Sequence, residues 1–421
     1  MGRPTVVIVD PYSSGDLLAR GLLAAGFSVI GVTTGESPPD IYRSSFHPAE
    51  LDCCVVGETV TPGLVSRLRD AGPVAVLAGA ESGVEVADRL AHELTPDRAN
   101  VPALGSARRD KGRMVEAVAA AGLRTIRSVS GDDPGAVRAW LEAEGLRARD
   151  LVVKPAKSVG TDGVTFVPGG ADWRPAFDGL LGATNCLGRR NQNVIVQEYV
   201  PGVEYVVNTF SFAGTHAVTD IARYGKVQRK AGGKTSIAVY ESVRFLPFDE
   251  PGNAELISYT RGVLDAVGVR FGPAHTELMD SGGPVLIETA ARIAGGGMPE
   301  TARLATGDNA IGRLARYLGG GLEPRLDYRS KRSVVVVFLL PPSGGRLRNT
   351  GAYEAIRELP SCHQLQVGVR DHDVLGDETT LFASLDHGFA VLVHDDPAQT
   401  EADHARIRRI EQDVRVEPPP G

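Results

Sequence analysis

Two glutamates and an arginine in the second half of the chain have the types and the spacing to bind a metal ion and a phosphoryl group. Glu277 precedes the turn-forming residues 280–283, and Glu288 follows them in an apolar stretch. Strands of a hairpin return on themselves, so the two carboxylates are expected side by side, where they repel unless a cation lies between them. Mg²⁺ prefers such oxygen ligands, and the Arg292 guanidinium suits the charge of a phosphoryl group in transfer.

The glycines after Arg292 add backbone donors to the same stretch. Gly295, Gly296 and Gly297 expose N–H groups that could bind a carboxylate or an oxyanion. A surface hairpin with two glutamates, a flexible glycine loop and a solvated arginine explain the stretch equally well. The chemical interpretation therefore depends on residues elsewhere in the chain.

The composition is that of a folded, acidic protein. The 421 residues are too many for one ordinary core, so about two to four domains of roughly 100 to 200 residues are expected. A net charge of -7 argues against general binding of nucleic acid or anionic membranes. The longest apolar run, Val334 to Leu340, is far shorter than the ~20 residues of a membrane helix, and no secretory signal opens the chain. A cytoplasmic location is expected, with the four cysteines as reduced thiols.

Alternating strands and helices open the chain. Apolar strands are predicted at 5–9, 27–32, 51–56 and 74–78, with helices at 16–25, 62–71 and 83–94. The pattern predicts a small parallel sheet, and the lack of G-x-G-x-x-G after its first strand argues against a nicotinamide or flavin site. Ser14 and Glu81 follow strand ends, where they could contact substrate, although capping of the next helix is the favoured explanation.

A lysine and a glycine-rich turn mark the start of a second β-rich unit. The strand at 151–155 presents Lys154 and leads into the turn from Ser158 to Gly163. N–H groups of such a turn can fold over phosphates while the lysine supplies the charge. The turn is not a Walker A sequence, which would precede a helix.

Two further strands, at 193–200 and 203–212, place glutamates near a bend. The backbone around Glu198 could pair with an adenine edge, and Glu204 could hold ribose hydroxyls. Exposed carboxylates in a hairpin are the alternative.

A basic segment and a C-terminal unit complete the chain. Asp220 to Lys234 predicts a mobile loop that closes over an anionic substrate, or else a solvated loop. The C-terminal elements are predicted as a helix from Met298 to Leu318, strands at 334–340, 365–369 and 389–393, and a helix at 399–413. His394-Asp395-Asp396 is interpreted as a helix cap rather than a metal site, and the tail from Pro418 is expected to be disordered.

Taken in order, several motifs resemble those of ATP-grasp ligases over nearly the whole chain. They are Arg109-x-Lys111-x-x-Met114, Val153-Lys154-Pro155 with its glycine turn, Gln197-Glu198-Tyr199-Val200-Pro201-Gly202-x-Glu204, His275-Thr276-Glu277 and Glu288-Thr289-Ala290-Ala291-Arg292. The last two, with Gly295 and Gly296, are most similar to the L-amino-acid ligase branch, which makes dipeptides and related amides in peptide natural-product biosynthesis. Ala290 stands where many ATP-grasp enzymes have an asparagine as a third metal ligand, a change that this branch tolerates.

The resemblance implies a role for each matching residue. Arg292, Lys154 and Lys111 would be catalytic, Glu277 and Glu288 would hold Mg²⁺ or Mn²⁺, and His275 would have a packing or orienting role. The implied ATP contacts are Lys111, Val153, Lys154, Ser158, Gly160, Gly163, Gln197, Glu198, Tyr199, Val200 and Glu204. The implied substrate contacts are Glu81, His275, Arg292, Gly295, Gly296 and Met298.

The resemblance also implies an α/β (α+β) chain with an ATP-grasp fold. Its expected parts are an N-terminal parallel βαβ domain at 1–105, an ATP-grasp domain at 106–325 with a lid at about 115–196, and a C-terminal α+β domain at 326–421. The implied activity is ATP-dependent amide formation through an acyl-phosphate, on amino acids or short peptides, in a chain that could be a homodimer. A biotin-carboxylase-like enzyme and a non-catalytic nucleotide-binding module are the alternatives.

Overall fold

The computed structural model describes residues 2–170, 172–231, 234–321, 323–376 and 385–417, with the backbone alone described between 228 and 238. The predicted disordered tail from Pro418 lies outside the described residues, as do residues 232 and 233 of the predicted basic loop. None of the described helices is long and apolar enough to cross a membrane.

The described part of the chain contains helices between its strands. They are α1 (Ser14–Ala24), α2 (Pro62–Asp70), α3 (Val84–Leu94), α4 (Lys111–Ala120), α5 (Pro134–Ala143), α6 (Arg174–Leu180), α7 (Asn253–Ala266), α8 (Met298–Thr306), α9 (Ala310–Gly320) and α10 (Pro397–Ile410). Asp110 accepts hydrogen bonds from two N–H groups in the first turn of α4, and Asp396 accepts one from Ala398 at the start of α10. The helix-cap interpretation of residues 394–396 is therefore confirmed.

The strands form four sheets within the described residues. They are β1 (Thr5–Val9), β2 (Ser28–Thr33), β3 (Cys53–Val56), β4 (Pro73–Ala78), β5 (Ser128–Gly131), β6 (Leu151–Pro155), β7 (Thr165–Val167), β8 (Val194–Glu198), β9 (Val203–Phe212), β10 (Thr215–Ala231), β11 (Lys234–Phe245), β12 (Gly272–Asp280), β13 (Pro284–Ala290), β14 (Ser333–Phe338), β15 (Gly345–Arg348), β16 (Cys362–Val367), β17 (Val374–Leu375), β18 (Gly388–His394) and β19 (Arg415–Glu417). β17, β15 and β19 form a small sheet near the C-terminus.

The N-terminal sheet is parallel, as the alternating pattern predicts. Its strands lie in the order β3-β2-β1-β4. Successive residues of β1 pack into two different cores, with Val6 and Ile8 in one and Val7 and Val9 in the other. Burial on both faces explains why this strand is an unbroken apolar run.

A smaller antiparallel sheet, β5-β8-β6-β7, falls almost entirely within the segment predicted as the lid, so we call it the lid sheet. Its inner face carries Val153 and Val196, which pack against Phe177 of α6. The other face of β6 carries Lys154. This alternation along one strand gives the lid its own core and also directs a lysine away from that core.

The central sheet is larger and antiparallel. Its order is β13-β12-β9-β10-β11-β14-β18-β16, so strands from the C-terminal part continue the sheet that carries the two glutamates. The predicted boundary near residue 325 therefore separates strands that share one sheet. The domain limits themselves stay a prediction.

Two predicted elements differ from the structure. The segment 220–231 is strand rather than loop, because β11 pairs with its backbone from Ala222 to Ala231 and β9 pairs with it as far as Tyr224. The single helix predicted from Met298 to Leu318 is divided into α8 and α9, because Gly307 adopts a φ of +77° and Asn309 then caps the second helix.

Candidate active site

A cavity of about 460 Å³ lies between the lid sheet and the hairpin of β12 and β13. Its wall on the lid side includes Lys154 and the glycine-rich turn, and its opposite wall includes both glutamates. The predicted site residues that line it are Lys111, Lys154, Ser158, Gly160, Gln197, Tyr199, Val200, Glu204, His275, Glu277, Glu288 and Arg292. Predicted residues as far apart in the sequence as Lys111 and Arg292 thus meet at one cavity.

The two glutamates are directly opposite each other. Glu277 of β12 pairs with Glu288 of β13, as the turn between them predicts. Each carboxylate is bound by a basic side chain, since Glu288 lies 3.0 Å from Lys111 and Glu277 lies 3.3 Å from His275. Two facing carboxylates in a cavity suit Mg²⁺, which takes one or two such ligands together with substrate phosphates. Ala290 also lines the cavity and has no oxygen to add from its side chain.

Electrostatics keep the Glu277 carboxylate ionised. Burial alone would raise the pKa of Glu277, but the hydrogen bond from His275 and the nearby charges of His275, Lys226 and Arg292 hold that pKa well below its usual value. The carboxylate is therefore charged at neutral pH and ready to act as a ligand.

A chain of hydrogen bonds orients His275. Asp220 is buried and its carboxylate accepts a bond of 2.6 Å from the Asn208 side-chain nitrogen. The Asn208 oxygen is then the acceptor for His275 Nδ1, 2.8 Å away, so that ring nitrogen carries a proton. This leaves His275 Nε2 facing Glu277. The prediction of an orienting role for His275 agrees with this geometry.

The two lysines approach the cavity from different elements. Lys111 is the first residue of α4, and its Nζ donates to the Ser158 carbonyl at 3.1 Å. Lys154 is 7% exposed, and burial together with the charge of Lys111 lowers its pKa to about 8. An anion beside Lys154, such as a phosphate, would favour the charged form of this lysine.

The glycine-rich turn is held in shape by its own side chains. Asp162 accepts hydrogen bonds from the Ser158 hydroxyl at 2.6 Å and from the Cys186 N–H at 2.9 Å. Positive φ angles occur at Gly160, Thr161 and Gly163, of +61°, +64° and +70°. A Cβ on Gly163 would lie 2.6 Å from a Leu180 methyl carbon, so glycine is required there for packing as well as for conformation.

The favoured explanation of Glu81 as a helix cap is wrong. Its carboxylate is buried, lies 2.9 Å from Arg292 Nε and lies 3.6 Å from Arg109. Burial opposes ionisation, but the charges of Arg292, Arg109 and Lys111 outweigh it and lower the Glu81 pKa. Ser14 also does not cap α1, because its hydroxyl donates to the Ile293 carbonyl. Both residues connect the N-terminal sheet to the segment that carries Arg292.

Some predicted site residues do not line the cavity. Val153 packs in the lid core, and the Glu198 carboxylate turns outward to Arg127, 2.6 Å away. The Glu198 and Tyr199 N–H groups are bonded to the Arg127 and Asp150 carbonyls. Other residues that do not line the cavity are Gly163, Glu81, Gly295, Gly296 and Met298.

The glycines after Arg292 border open space. A Cβ built on Gly295, Gly296 or Gly297 would meet no described atom within 4 Å. Met298, at the start of α8, accepts a hydrogen bond from the Tyr224 hydroxyl at 3.4 Å. Gly296 and Gly297 are exposed, so this open space lies at the surface of the protein.

Several lining residues were not predicted as site residues. Tyr224, Lys226 and Tyr240 enter the cavity from β10 and β11. Lys226 was predicted only as part of a basic loop. The alternation of side chains along a strand would have placed Tyr224 and Lys226 on one face, but the glycines of that segment indicated a loop instead.

Comparisons with known proteins agree with this geometry. Residues 148–300 match the model of the ATP-grasp domain. Dapdiamide A synthase of Enterobacter agglomerans is 29% identical over 98% of this chain and 96% of its own length. In fold, the chain is similar to the L-amino acid ligase from Bacillus licheniformis (TM-score 0.68, 18% identity, 99% of both chains). An ADP complex of N5-carboxyaminoimidazole ribonucleotide synthetase gives a TM-score of 0.67 at 14% identity over 98% of both chains.

Proposed function

We propose that this chain, an ATP-grasp protein similar to L-amino-acid ligases, joins a carboxylate to an amine at the expense of ATP and releases ADP and phosphate. The comparisons support ATP-dependent amide bond formation of the kind found in peptide natural-product biosynthesis. The observation that carries the proposal is the pairing of Glu277 with Glu288 across a cavity from Lys154 and beside Arg292. The expected donor and acceptor are an amino acid and a second amino acid or short peptide.

The proposed reaction has two steps. A substrate carboxylate oxygen attacks the γ-phosphorus of ATP, the bond to the bridging oxygen breaks, and ADP leaves. The amine nitrogen then attacks the acyl carbon, the bond from that carbon to the phosphate oxygen breaks, and the nitrogen loses one proton. The first step turns a poor electrophile into one with a good leaving group.

The chain supplies positive charge where both reactants are anionic. Lys111 and Lys154 would bind phosphates from the lid side, and Arg292 would bind the transferring phosphoryl group and the oxyanion that follows. Mg²⁺ held by Glu277 and Glu288 would neutralise phosphate charge further, with Mn²⁺ as a substitute. The lid turn over the cavity would keep water from the acyl-phosphate.

The proposal also concerns the size of the substrate. The open space beside Gly295, Gly296 and Gly297 favours a large or nonstandard amino acid, or a short peptide, over the smallest amino acids. This part is wrong if only alanine and glycine support ADP release. A homodimeric state and a cytoplasmic location also stay predictions.

The alternative functions, a carboxylase and a non-catalytic nucleotide-binding module, differ from the amide ligase in the substrates that they use. The fold is shared with a carboxyaminoimidazole ribonucleotide synthetase, so the fold alone does not separate an amide ligase from a carboxylase. The relative matched over nearly the whole chain favours the amide ligase. A non-catalytic nucleotide-binding module would have no need of paired metal ligands facing buried lysines.

The test is ADP release from Mg²⁺-ATP against amino acids offered singly and in pairs, with products identified by mass. We expect release that requires a pair and gives a mass equal to the sum of the two less water. Glu288→Gln should lower turnover by about 100-fold or more, since it removes charge stabilisation from the transition state. The exposed Glu354→Gln serves as the matched control. Release with bicarbonate alone would instead indicate a carboxylase.

A further inference from the structure

Arg292 lines the cavity, and two hydrogen bonds hold its guanidinium group from behind. Nε donates to Glu81 Oε2 at 2.9 Å, and Nη1 donates to the Ile293 carbonyl at 2.8 Å. A guanidinium group is planar and its donors form a rigid fork, so bonds to two of its nitrogens determine its plane. The direction in which Arg292 faces the cavity therefore depends on where the Glu81 carboxylate lies.

The Glu81 carboxylate lies between two arginines. Its Oε2 binds Arg292, while its Oε1 lies 3.6 Å from Nη1 of Arg109, within the range of an ion pair. Glu81 is 3% exposed and Arg109 is 5% exposed, so solvent ions screen their attraction little. The terminal torsion of a glutamate side chain has broad energy minima, so a contact to one oxygen leaves the carboxylate plane loosely fixed. Partners at both oxygens fix that plane.

The chain segment that carries Arg109 is itself anchored on both sides. Arg108, the residue before it, is fully buried and donates from Nε to Asp88 of α3 at 2.8 Å. Asp110, the residue after it, caps α4 by accepting hydrogen bonds from two N–H groups. Neither Arg109 nor Glu81 lines the cavity. The pair can therefore influence a reaction in the cavity only through the side chains that it contacts.

We propose that Arg109 is a positioning residue that fixes the Glu81 carboxylate, which in turn directs the Arg292 guanidinium group towards the transferring phosphoryl group. The inference rests on the proposed function, because it requires Arg292 to act on that group. Glu81 then acts through Arg292 instead of touching the substrate itself. Loss of Arg109 would loosen the carboxylate, and a small displacement of Arg292 would slow a reaction whose developing charge it stabilises.

A double-mutant cycle on the rate of ADP release tests this series of contacts. Arg109→Met removes one charge, and Arg292→Lys keeps a positive charge at that position without the planar fork. The substrates are Mg²⁺-ATP and the amino-acid pair that the unsubstituted protein joins fastest. We expect Arg109→Met to lower kcat about tenfold or more in the unsubstituted protein, but about twofold or less in Arg292→Lys. The Kd of Mg²⁺-ATP should change less than about threefold in either background.

Asp88→Asn is the matched control, because it alters the buried partner of the neighbouring Arg108 and leaves Glu81 and Arg292 in place. It should lower stability and leave kcat within about twofold of its original value. Glu81→Gln is a second variant in case Arg109→Met does not fold. It keeps an oxygen that can accept from Arg292, and its loss of kcat should show the same dependence on Arg292→Lys.

A measurement that needs no turnover is the Nε–H signal of Arg292 in the NMR spectrum of protein labelled with ¹⁵N-arginine. The signal is assigned by its loss in Arg292→Lys. Because Nε donates to Glu81, the signal should shift in Arg109→Met and stay unchanged in Asp88→Asn. An unchanged signal in Arg109→Met would overturn the inference.

The kinetic results have equally direct meanings. The same loss of kcat in both backgrounds would make Arg109 a structural residue and overturn the inference. A rise in the Kd of Mg²⁺-ATP that matches the loss of kcat would overturn it too, because Arg109 would then act on the nucleotide. Failure of the unsubstituted protein to form any amide would instead overturn the proposed function, and this inference with it.

Discussion

At the scale of single residues, Lys154 shows how binding and stability oppose each other. The folded protein lowers its pKa from 10.5 to about 8 through burial and the charge of Lys111. Below pH 8 the buried ammonium therefore destabilises the fold. Between pH 8 and pH 10.5, Lys154 binds more protons in the unfolded chain than in the folded one, so the free energy of unfolding rises with pH.

Lys154→Met is expected to stabilise the protein and to abolish tight ATP binding. The gain in the free energy of unfolding should be on the order of 1–3 kcal/mol at neutral pH and should shrink as the pH rises from 8 towards 10.5. Urea unfolding across that pH range, with Lys331→Met as control, measures it. A loss of stability with ATP affinity retained would show that Lys154 is a structural residue.

The pairing of Glu277 with Glu288 could be predicted from the sequence because turn-forming residues lie between them. The separation of Glu277 and Glu288 around a short turn placed them opposite each other. Glu198 was different, since its outward direction depends on Arg127, 71 positions away. No local sequence pattern predicts a contact between two residues that are 71 positions apart.

At the scale of elements, a half-buried carboxylate helps to attach the C-terminal helix to the central sheet. Glu241 of β11 accepts hydrogen bonds from His404 at 2.6 Å and from Arg408 at 2.8 Å, both on α10. Burial opposes its ionisation, but these two partners outweigh burial and lower the pKa of Glu241 to about 2. The attachment holds α10 against β11, the strand that supplies Tyr240 to the cavity.

Glu241→Gln should destabilise the protein by about 1–3 kcal/mol at neutral pH, because His404 and Arg408 lose a charged acceptor. The contribution of Glu241 is present above its unfolded pKa of 4.5 and is lost as the pH falls towards 2. The variant should therefore lose less stability than the parent over that acidic range. Urea unfolding as a function of pH checks this, with Glu354→Gln as the exposed control. Equal free energies of unfolding for Glu241→Gln and Glu354→Gln at pH 7 would contradict a stabilising role for Glu241.

Most elements could be predicted from periodicity and caps, including the four parallel strands of the N-terminal sheet. The misassigned strand depends on pairing with a distant part of the chain. The glycines around residue 232 indicate a loop when read locally, yet the backbone up to Ala231 pairs with β11. The continuation of the central sheet through β14, β18 and β16 is likewise invisible in local sequence.

At the scale of the whole molecule, the three parts of the chain meet around the cavity. The lid sheet supplies Lys154 and the central sheet supplies Glu277 and Glu288. Glu81, which follows β4 of the N-terminal sheet and lies outside the cavity lining, binds Arg292. An acyl-phosphate formed at this junction would be shielded from water by all three.

The most direct test of this account follows the oxygen atoms of the donor substrate. A donor amino acid labelled with ¹⁸O in its carboxylate is incubated with Mg²⁺-ATP and an acceptor amine, and the released phosphate is analysed by mass. Formation of an acyl-phosphate predicts one ¹⁸O atom in phosphate for each amide bond formed, with ADP as the nucleotide product. Unlabelled phosphate, or release of AMP carrying the label, would contradict the central claim that the carboxylate is activated by phosphoryl transfer.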